Sequence, residues 1–293
     1  MSRLRERLGL PGKKLIAERV RAFSAVPNPH PLFIFGNQKS GTTAVAGLLA
    51  AATGKSVTLD FAGATEPYLG RLLRRETPID EFVHTNAWAF SAEIVKEPSL
   101  TFAAPGLMAH FGSARAVFVL RHPYANIRSI LDRLKLPGDL KSLDPDTIDA
   151  NRTWRSQLAG RDLGLPPDHY IATLARRWLR AAEIYRATPE RYELIRYEDF
   201  MADRPRAIAQ LAGNIGLVAN VDITAIMDRD FQRRGTPRPP REFFGADNLS
   251  RIDHICGDVA QSLGFPIKDF DFVNSLKKNS LYSRADEARD SAA

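Results

Sequence analysis

The chain has 293 residues, 44% hydrophobic and 26% charged, the balance of an ordinary soluble globular protein, and its length admits one large α/β domain or two small ones. Its formal net charge of +7 favours a polyanionic partner: nucleic acid, an anionic membrane surface or a phosphorylated nucleotide. A single cysteine, Cys256, excludes an internal disulfide and a cysteine-based metal site, and no apolar run approaches the roughly 20 residues of a membrane span, so a reducing, cytoplasmic setting is expected with at most peripheral membrane contact.

In chain order, residues 1–28 read as a basic, helix-prone arm ending in Pro27-Asn28-Pro29, too charged at the start for a secretory leader. Leu32 to Phe35 is wholly apolar and precedes a Gly-rich turn, the pattern of a buried parallel strand. Ala44 to Ala52 is Ala/Leu-rich and predicts a helix. Short strands are expected at Ser56–Leu59 and Ile94–Val95, and a strong one at Ala116–Leu120 that stops at Arg121-His122-Pro123. Helices follow at Ala125–Leu134 and Tyr170–Ala187, the second with Leu174, Trp178, Ala181, Ala182 and Tyr185 on one side. A strand at Tyr192–Ile195 and helices at Pro205–Ile215 and Ser250–Leu263, with Gly264 as C-cap, complete the pattern. Asp60–Trp88 and Lys135–His169 are rich in Pro, Gly and charge and read as irregular walls of a substrate pocket. The expected division is the arm, one domain over 29–275 and a mobile polar tail over 276–293.

Strands alternating with helices argue for an α/β fold with a mostly parallel central sheet and helices on both faces. Ligands in such folds bind at the carboxyl ends of the strands. The segment Gly36-Asn37-Gln38-Lys39-Ser40-Gly41-Thr42-Thr43 follows the first strand and opens the first helix. Its glycines let backbone approach an anion, and the helix N-terminus donates amides to it. The two glycines have the spacing of a nucleotide triphosphatase loop. The usual lysine position holds Thr42, however, and the lysine lies inside the loop as Lys39. That location suits a 5′-phosphate and the group leaving it.

The run Asn37 to Thr43 resembles the 5′-phosphosulfate-binding loop of sulfotransferases that use 3′-phosphoadenosine 5′-phosphosulfate. Val117 to Ser129 resembles that family's 3′-phosphate motif, in which a strand delivers an arginine, here Arg121, and a serine, here Ser129, follows at a fixed offset on the next helix. Arginine presents a permanent planar fork to a phosphate dianion; Arg128 reads as a second anion ligand or a surface charge, the surface being favoured. Two shorter matches are Arg196-Tyr197-Glu198-Asp199, whose tyrosine lies near adenine in the family, and Phe231-Gln232-Arg233-Arg234-Gly235, similar to a loop that closes on the 3′-phosphate. The sequence departs from the cytosolic members at Ala44, where they carry an adenine-stacking tryptophan. The resemblance implies a P-loop-like fold and transfer of a sulfuryl group from that nucleotide to an unidentified acceptor, such as a hydroxyl of a carbohydrate, lipid or small molecule. Gln38, Lys39, Ser40, Gly41, Thr42, Thr43, Arg121, Ser129, Tyr197, Arg233, Arg234 and Gly235 are the implied nucleotide-binding residues.

For catalysis, Lys39 is the candidate stabiliser of the leaving phosphate oxygen, so no metal is implied. Glu66 ranks first as the base for an acceptor hydroxyl, then Glu97, Asp60 and His84. Lys96 matches a lysine of the family's K-T-H segment, but the histidine position falls on Pro98. Two other functions compete. A P-loop kinase or nucleotide triphosphatase would want lysine at Thr42 and an acid where Arg121 stands. A non-catalytic nucleic-acid binder would want a basic stripe with interleaved aromatics, which the sequence lacks, so no nucleic-acid partner is expected.

Overall fold

A computed structural model describes residues 13–227 and 238–267. Its centre is a five-stranded sheet of β1 (Leu32–Phe35), β2 (Val57–Leu59), β3 (Ile94–Lys96), β4 (Arg115–Leu120) and β5 (Glu193–Arg196) in the order β2-β3-β1-β4-β5. Every pairing is parallel, with Ile34 opposite both Lys96 and Val117, and Leu120 opposite Arg196. The chain leaves β1 towards β2 and β3, then crosses to β4 and β5 on the other side. The reversal opens a crevice at the carboxyl ends of β3, β1 and β4.

Side chains of a strand alternate between faces, and both faces here are covered. Leu32, Ile34, Val117 and Val119 enter one core with Val45, Leu48 and Leu49 of the helix Thr42–Thr53 and Ile208, Leu211 and Ala212 of the helix Arg204–Asn214. Phe33, Phe35, Phe118 and Leu120 enter the other with Leu174, Trp178 and Ala181 of the helix Tyr170–Ala187 and Ile252, Cys256 and Ala260 of the helix Pro240–Ser262. β1 and residues 116–120 of β4 thus read as continuous apolar runs, because none of those positions faces water.

The helix Tyr170–Ala187 has the bounds its periodicity predicts. The last helix begins at Pro240, ten residues before the expected Ser250, and bends at Gly245, whose φ of 69° breaks the helical path. The two segments expected to be irregular contain short helices: Tyr68–Leu73, Ile79–Thr85 and Ala87–Phe90 in the first and Arg152–Leu158 in the second. They are four to seven residues long, too short for a helical period to emerge from sequence, and tertiary packing stabilises them. The second segment is also tied down by the fully buried pair Arg177–Asp162, with Nη1 2.6 Å from Oδ1.

Within residues 1–28, Lys13–Ala22 is a helix lying on the domain: Leu15 is buried, and the Glu18 carboxylate accepts from the Ala62 amide at 2.7 Å. Arg128 is not a surface charge. It is buried, donates to the Arg238 carbonyl at 2.9 Å and stands over the Phe243 ring. It points inward, against the last helix, where its alkyl stem packs.

Candidate functional site

The loop between β1 and its helix is held by polar side chains from two other segments. Gly36 presents its amide to Thr101 Oγ1 at 2.8 Å and accepts from the same hydroxyl at 3.0 Å. Its φ is 147°, and a Cβ there would lie 2.4 Å from the Val119 carbonyl oxygen, so no other residue fits. Asn126, on the helix Pro123–Leu134, donates to the Gln38 carbonyl and to Ser40 Oγ and accepts from Asn37 Nδ2, all at 2.8–3.0 Å. Gln38 Nε2 donates to Ser99 at 3.0 Å. Asn126, Thr101 and Ser99 were not singled out in the sequence. Nothing local marks them, because their partners lie 61–89 residues away. Removing Asn126 orphans several buried groups, at about 1–3 kcal/mol each. Asn126→Ala should therefore lower the unfolding free energy by a few kcal/mol in urea titration and loosen the loop.

Lys39 lies at the crest of the loop with φ 69°, a left-handed conformation unusual outside glycine. Its carbonyl accepts from Arg121 Nη1 at 3.0 Å. Burial, then the positive charges of Arg121 and Arg133, bring its pKa down to about 8. Gly41 caps the helix Thr42–Thr53 with φ 98°. A Cβ on Gly41 would strike the Tyr197 ring at 2.3 Å, so glycine is what allows that ring to lie on the loop. The other side of the story is Arg121, whose guanidinium stands 4.5 Å from the Tyr197 ring centroid and whose buried Nε has no hydrogen-bond partner among the described residues. Trp178 Nε1 fixes the Arg121 carbonyl at 2.8 Å. The next residue, His122, is buried and neutral, its pKa held down to about 3 chiefly by burial, and it bonds the Pro266 carbonyl. The buried Glu198 carboxylate accepts from the His122 amide, and its burial raises its pKa.

These groups face a cavity of about 540 Å³, within the range of small-molecule sites. Gln38, Lys39, Gly41, Thr42, Thr43, Ala44, Arg121 and Tyr197 line it, and so do Asp60, Lys96 and Glu97 from the ends of β2 and β3. Lys96 is buried and its Nζ lies 2.5 Å from Asp60 Oδ1. Glu97 accepts from the Ser99 amide at 3.0 Å. Burial, and secondarily the Asp60 charge, push the Glu97 carboxyl up to about 7 despite that bond and nearby Lys96. Trp154, Thr153, Gln157 and Asn151 close the far wall.

Not every candidate arrives at this cavity. Glu66 turns to the neighbouring helix Arg152–Leu158, where Ser156 donates to its carboxylate at 2.9 Å, and it is not among the lining residues. His84 lies at a separate cleft with Arg19 and Tyr68. Ser129 is half-buried on its helix and does not line the cavity. Ser40 is buried beneath the loop, bonded to Asn126. Arg233, Arg234 and Gly235 lie outside the described residues. Among the described residues no group of three His, Cys, Asp or Glu could hold a metal ion, and no helix is long and apolar enough to cross a membrane.

No protein-family model matches the chain, and no curated protein matches it in sequence. Solved structures do. A mouse sulfotransferase complexed with PAP is 12% identical over 86% of this chain and 90% of its own, with a TM-score of 0.51. A sulfotransferase from Mycobacterium tuberculosis is 15% identical over 82% of this chain and 79% of its own, with a TM-score of 0.48. By the first of these likenesses the chain has the α/β fold of a sulfotransferase.

Proposed function

We propose that this protein is a sulfotransferase that moves the sulfuryl group of 3′-phosphoadenosine 5′-phosphosulfate onto an acceptor hydroxyl. The observation that carries the reading is one cavity bounded by a phosphate loop with an internal lysine, an arginine with an unsatisfied buried Nε, and a carboxyl with a pKa of about 7. The fold is that of the mouse sulfotransferase complexed with PAP, which adds to the prior for a nucleotide of this kind.

The residues fit such a nucleotide. The amides at Gly41, Thr42 and Thr43 and the Lys39 ammonium would hold the 5′-phosphosulfate at the N-terminus of the helix Thr42–Thr53. Arg121 would take the 3′-phosphate; Ser129, which does not line the cavity, and Arg233, Arg234 and Gly235, which lie outside the described residues, stay candidates for it by resemblance alone. Ala44 leaves open space where an aromatic could have stacked, so Tyr197 and Met201, which share the cavity with it, are the candidate adenine contacts. In transfer, the acceptor hydroxyl gives its proton to Glu97 as its oxygen bonds to sulfur. The bond from sulfur to the 5′-phosphate oxygen breaks, and the electron pair stays on that phosphate. Lys39 neutralises the charge that builds there, the task a divalent cation performs for a triphosphate. Glu97, rather than Glu66, is the proposed base, because only Glu97 faces the same space as Lys39. Lys96 keeps Asp60 paired beside it.

Calorimetry tests the donor. 3′-Phosphoadenosine 5′-phosphate should bind well ahead of adenosine monophosphate and ATP, and Arg121→Ala should remove at least about tenfold of that affinity, the usual worth of a buried charged hydrogen bond. Equal affinity for the three nucleotides would sink the reading. ATP hydrolysis in place of sulfuryl transfer would turn the site into that of a P-loop triphosphatase.

A further inference from the structure

The helix Lys13–Ala22 has two unlike sides. Leu15, Glu18, Arg19 and Ala22 turn towards the domain, spaced as one helical face. The opposite side carries Ile16 and Val20 and continues into Phe23 and Val26 just beyond the helix. They are 43%, 62%, 92% and 79% exposed. These are four of the seven large apolar side chains that stand exposed among the described residues, gathered within eleven positions. Isolated exposed apolar residues are normal, but a clustered stripe marks a surface that meets something else.

The charge around this stripe says what. Residues 1–26 carry seven Lys and Arg against two Glu, and so account for five of the seven net positive charges of the whole chain. On the helix, Lys14 and Arg21 are exposed on the side next to the apolar one, Lys14 3.6 Å from Glu18 and Arg21 over the Trp88 ring, while the Glu18 carboxylate is buried and engaged by the Ala62 amide. An exposed apolar stripe on a strongly cationic segment, with its acid turned inward, complements an anionic lipid surface, where the apolar side chains enter the headgroup boundary and the segment's positive charge meets phosphate.

We propose that Lys13 to Val26 is a docking element for an anionic bilayer. The helix is tied to the cavity at two points. Lys14 Nζ donates to the Asp60 carbonyl at 3.1 Å and Glu18 holds Ala62, and Asp60 and Ala62 both line the cavity. Docking therefore holds one wall of the cavity at the membrane surface. Vesicle binding is read without donor or transfer, so its test does not depend on the proposed activity.

Sedimentation with vesicles of phosphatidylcholine containing about one-third phosphatidylglycerol, against phosphatidylcholine alone, measures it directly. The full chain should pellet with the anionic vesicles only, and release as salt rises from about 0.05 to about 0.5 M, where screening shortens to a few ångströms. The double variant Val20→Ser, Phe23→Ser removes apolar area without changing charge. It should keep the wild-type melting temperature, since both side chains are exposed, and bind the anionic vesicles about tenfold more weakly or worse. Three results overturn the proposal: wild type that ignores anionic vesicles, a double variant that binds them equally well, or a wild type that ignores lipid but self-associates through the same two residues, which would make a second copy the occupant.

Discussion

Glu97→Gln should leave a folded protein that binds nucleotide normally and transfers about 10²–10⁴-fold more slowly, the span over which a positioned base contributes. The amide is isosteric, and its oxygen can still accept from the Ser99 amide, so the turn at Pro98 survives. What is lost is a group able to take a proton. The pH profile carries the sharper test. Glu97 must be ionised to act, and its carboxyl is pushed up to about 7 by burial and by Asp60. Below that pH it is protonated and idle, so kcat/KM should rise through about 7. Lys39 must be charged, and burial beside Arg121 and Arg133 brings it down to about 8. Above that pH it loses its proton, so kcat/KM should fall again, giving a narrow bell. A bound phosphosulfate favours the charged lysine, so in kcat the alkaline limb should move to higher pH. In Glu97→Gln the acid limb should vanish. A variant that keeps both the rate and the acid limb would remove Glu97 from the chemistry and pass the role to Asp60, the other carboxylate lining the cavity.

Lys39→Ala should bind 3′-phosphoadenosine 5′-phosphate within about an order of magnitude of wild type, yet lose about 10²–10³ in single-turnover rate, the usual effect of deleting one preorganised stabiliser of developing charge. The split follows from timing: the benefit of the ammonium grows as the bond to sulfur breaks, whereas on the proposed reading ground-state nucleotide binding rests also on the loop amides and on Arg121 at the 3′-phosphate. Lys39 also has a φ of 69°, a backbone conformation that alanine tolerates no better than lysine, so the variant introduces no new strain. Lys39→Arg should rescue only in part, because a broad planar fork does not replace a compact ammonium at the crest of a tight loop. If Lys39→Ala instead transfers at near wild-type rate with weakened nucleotide binding, Lys39 is a binding residue, and Lys96 is the next candidate for charge stabilisation.

Much of this site is legible along the chain because its parts are local. Leu32 to Phe35 must be a buried strand, since four apolar residues in a row satisfy both faces of a covered parallel sheet. Gly36, Gly41 and the helix after them read as the proposed anion cradle, since the backbone itself would supply the donors. Arg121 follows a strand end for the same kind of reason. Those features depend on residues a few positions apart, and the expected strands agree with β1 to β5 within a residue or two. Other features depend on distance. Asn126 and Thr101 clamp the loop from 65 or more residues away, and their roles exist only once the sheet brings β4 and the β3 turn beside β1. The choice between Glu66 and Glu97 was likewise beyond the sequence. Both are glutamates following a strand, and only packing turns the first towards Ser156 and buries the second beside Asp60, which is what raises its pKa. The sequence by itself determined the strand, the glycine loop and the helix from Leu32 to Thr53, because they are written in consecutive residues. Tertiary structure alone decided which carboxyl faces the lysine, because burial and electrostatic neighbours are properties of assembled space and not of the chain.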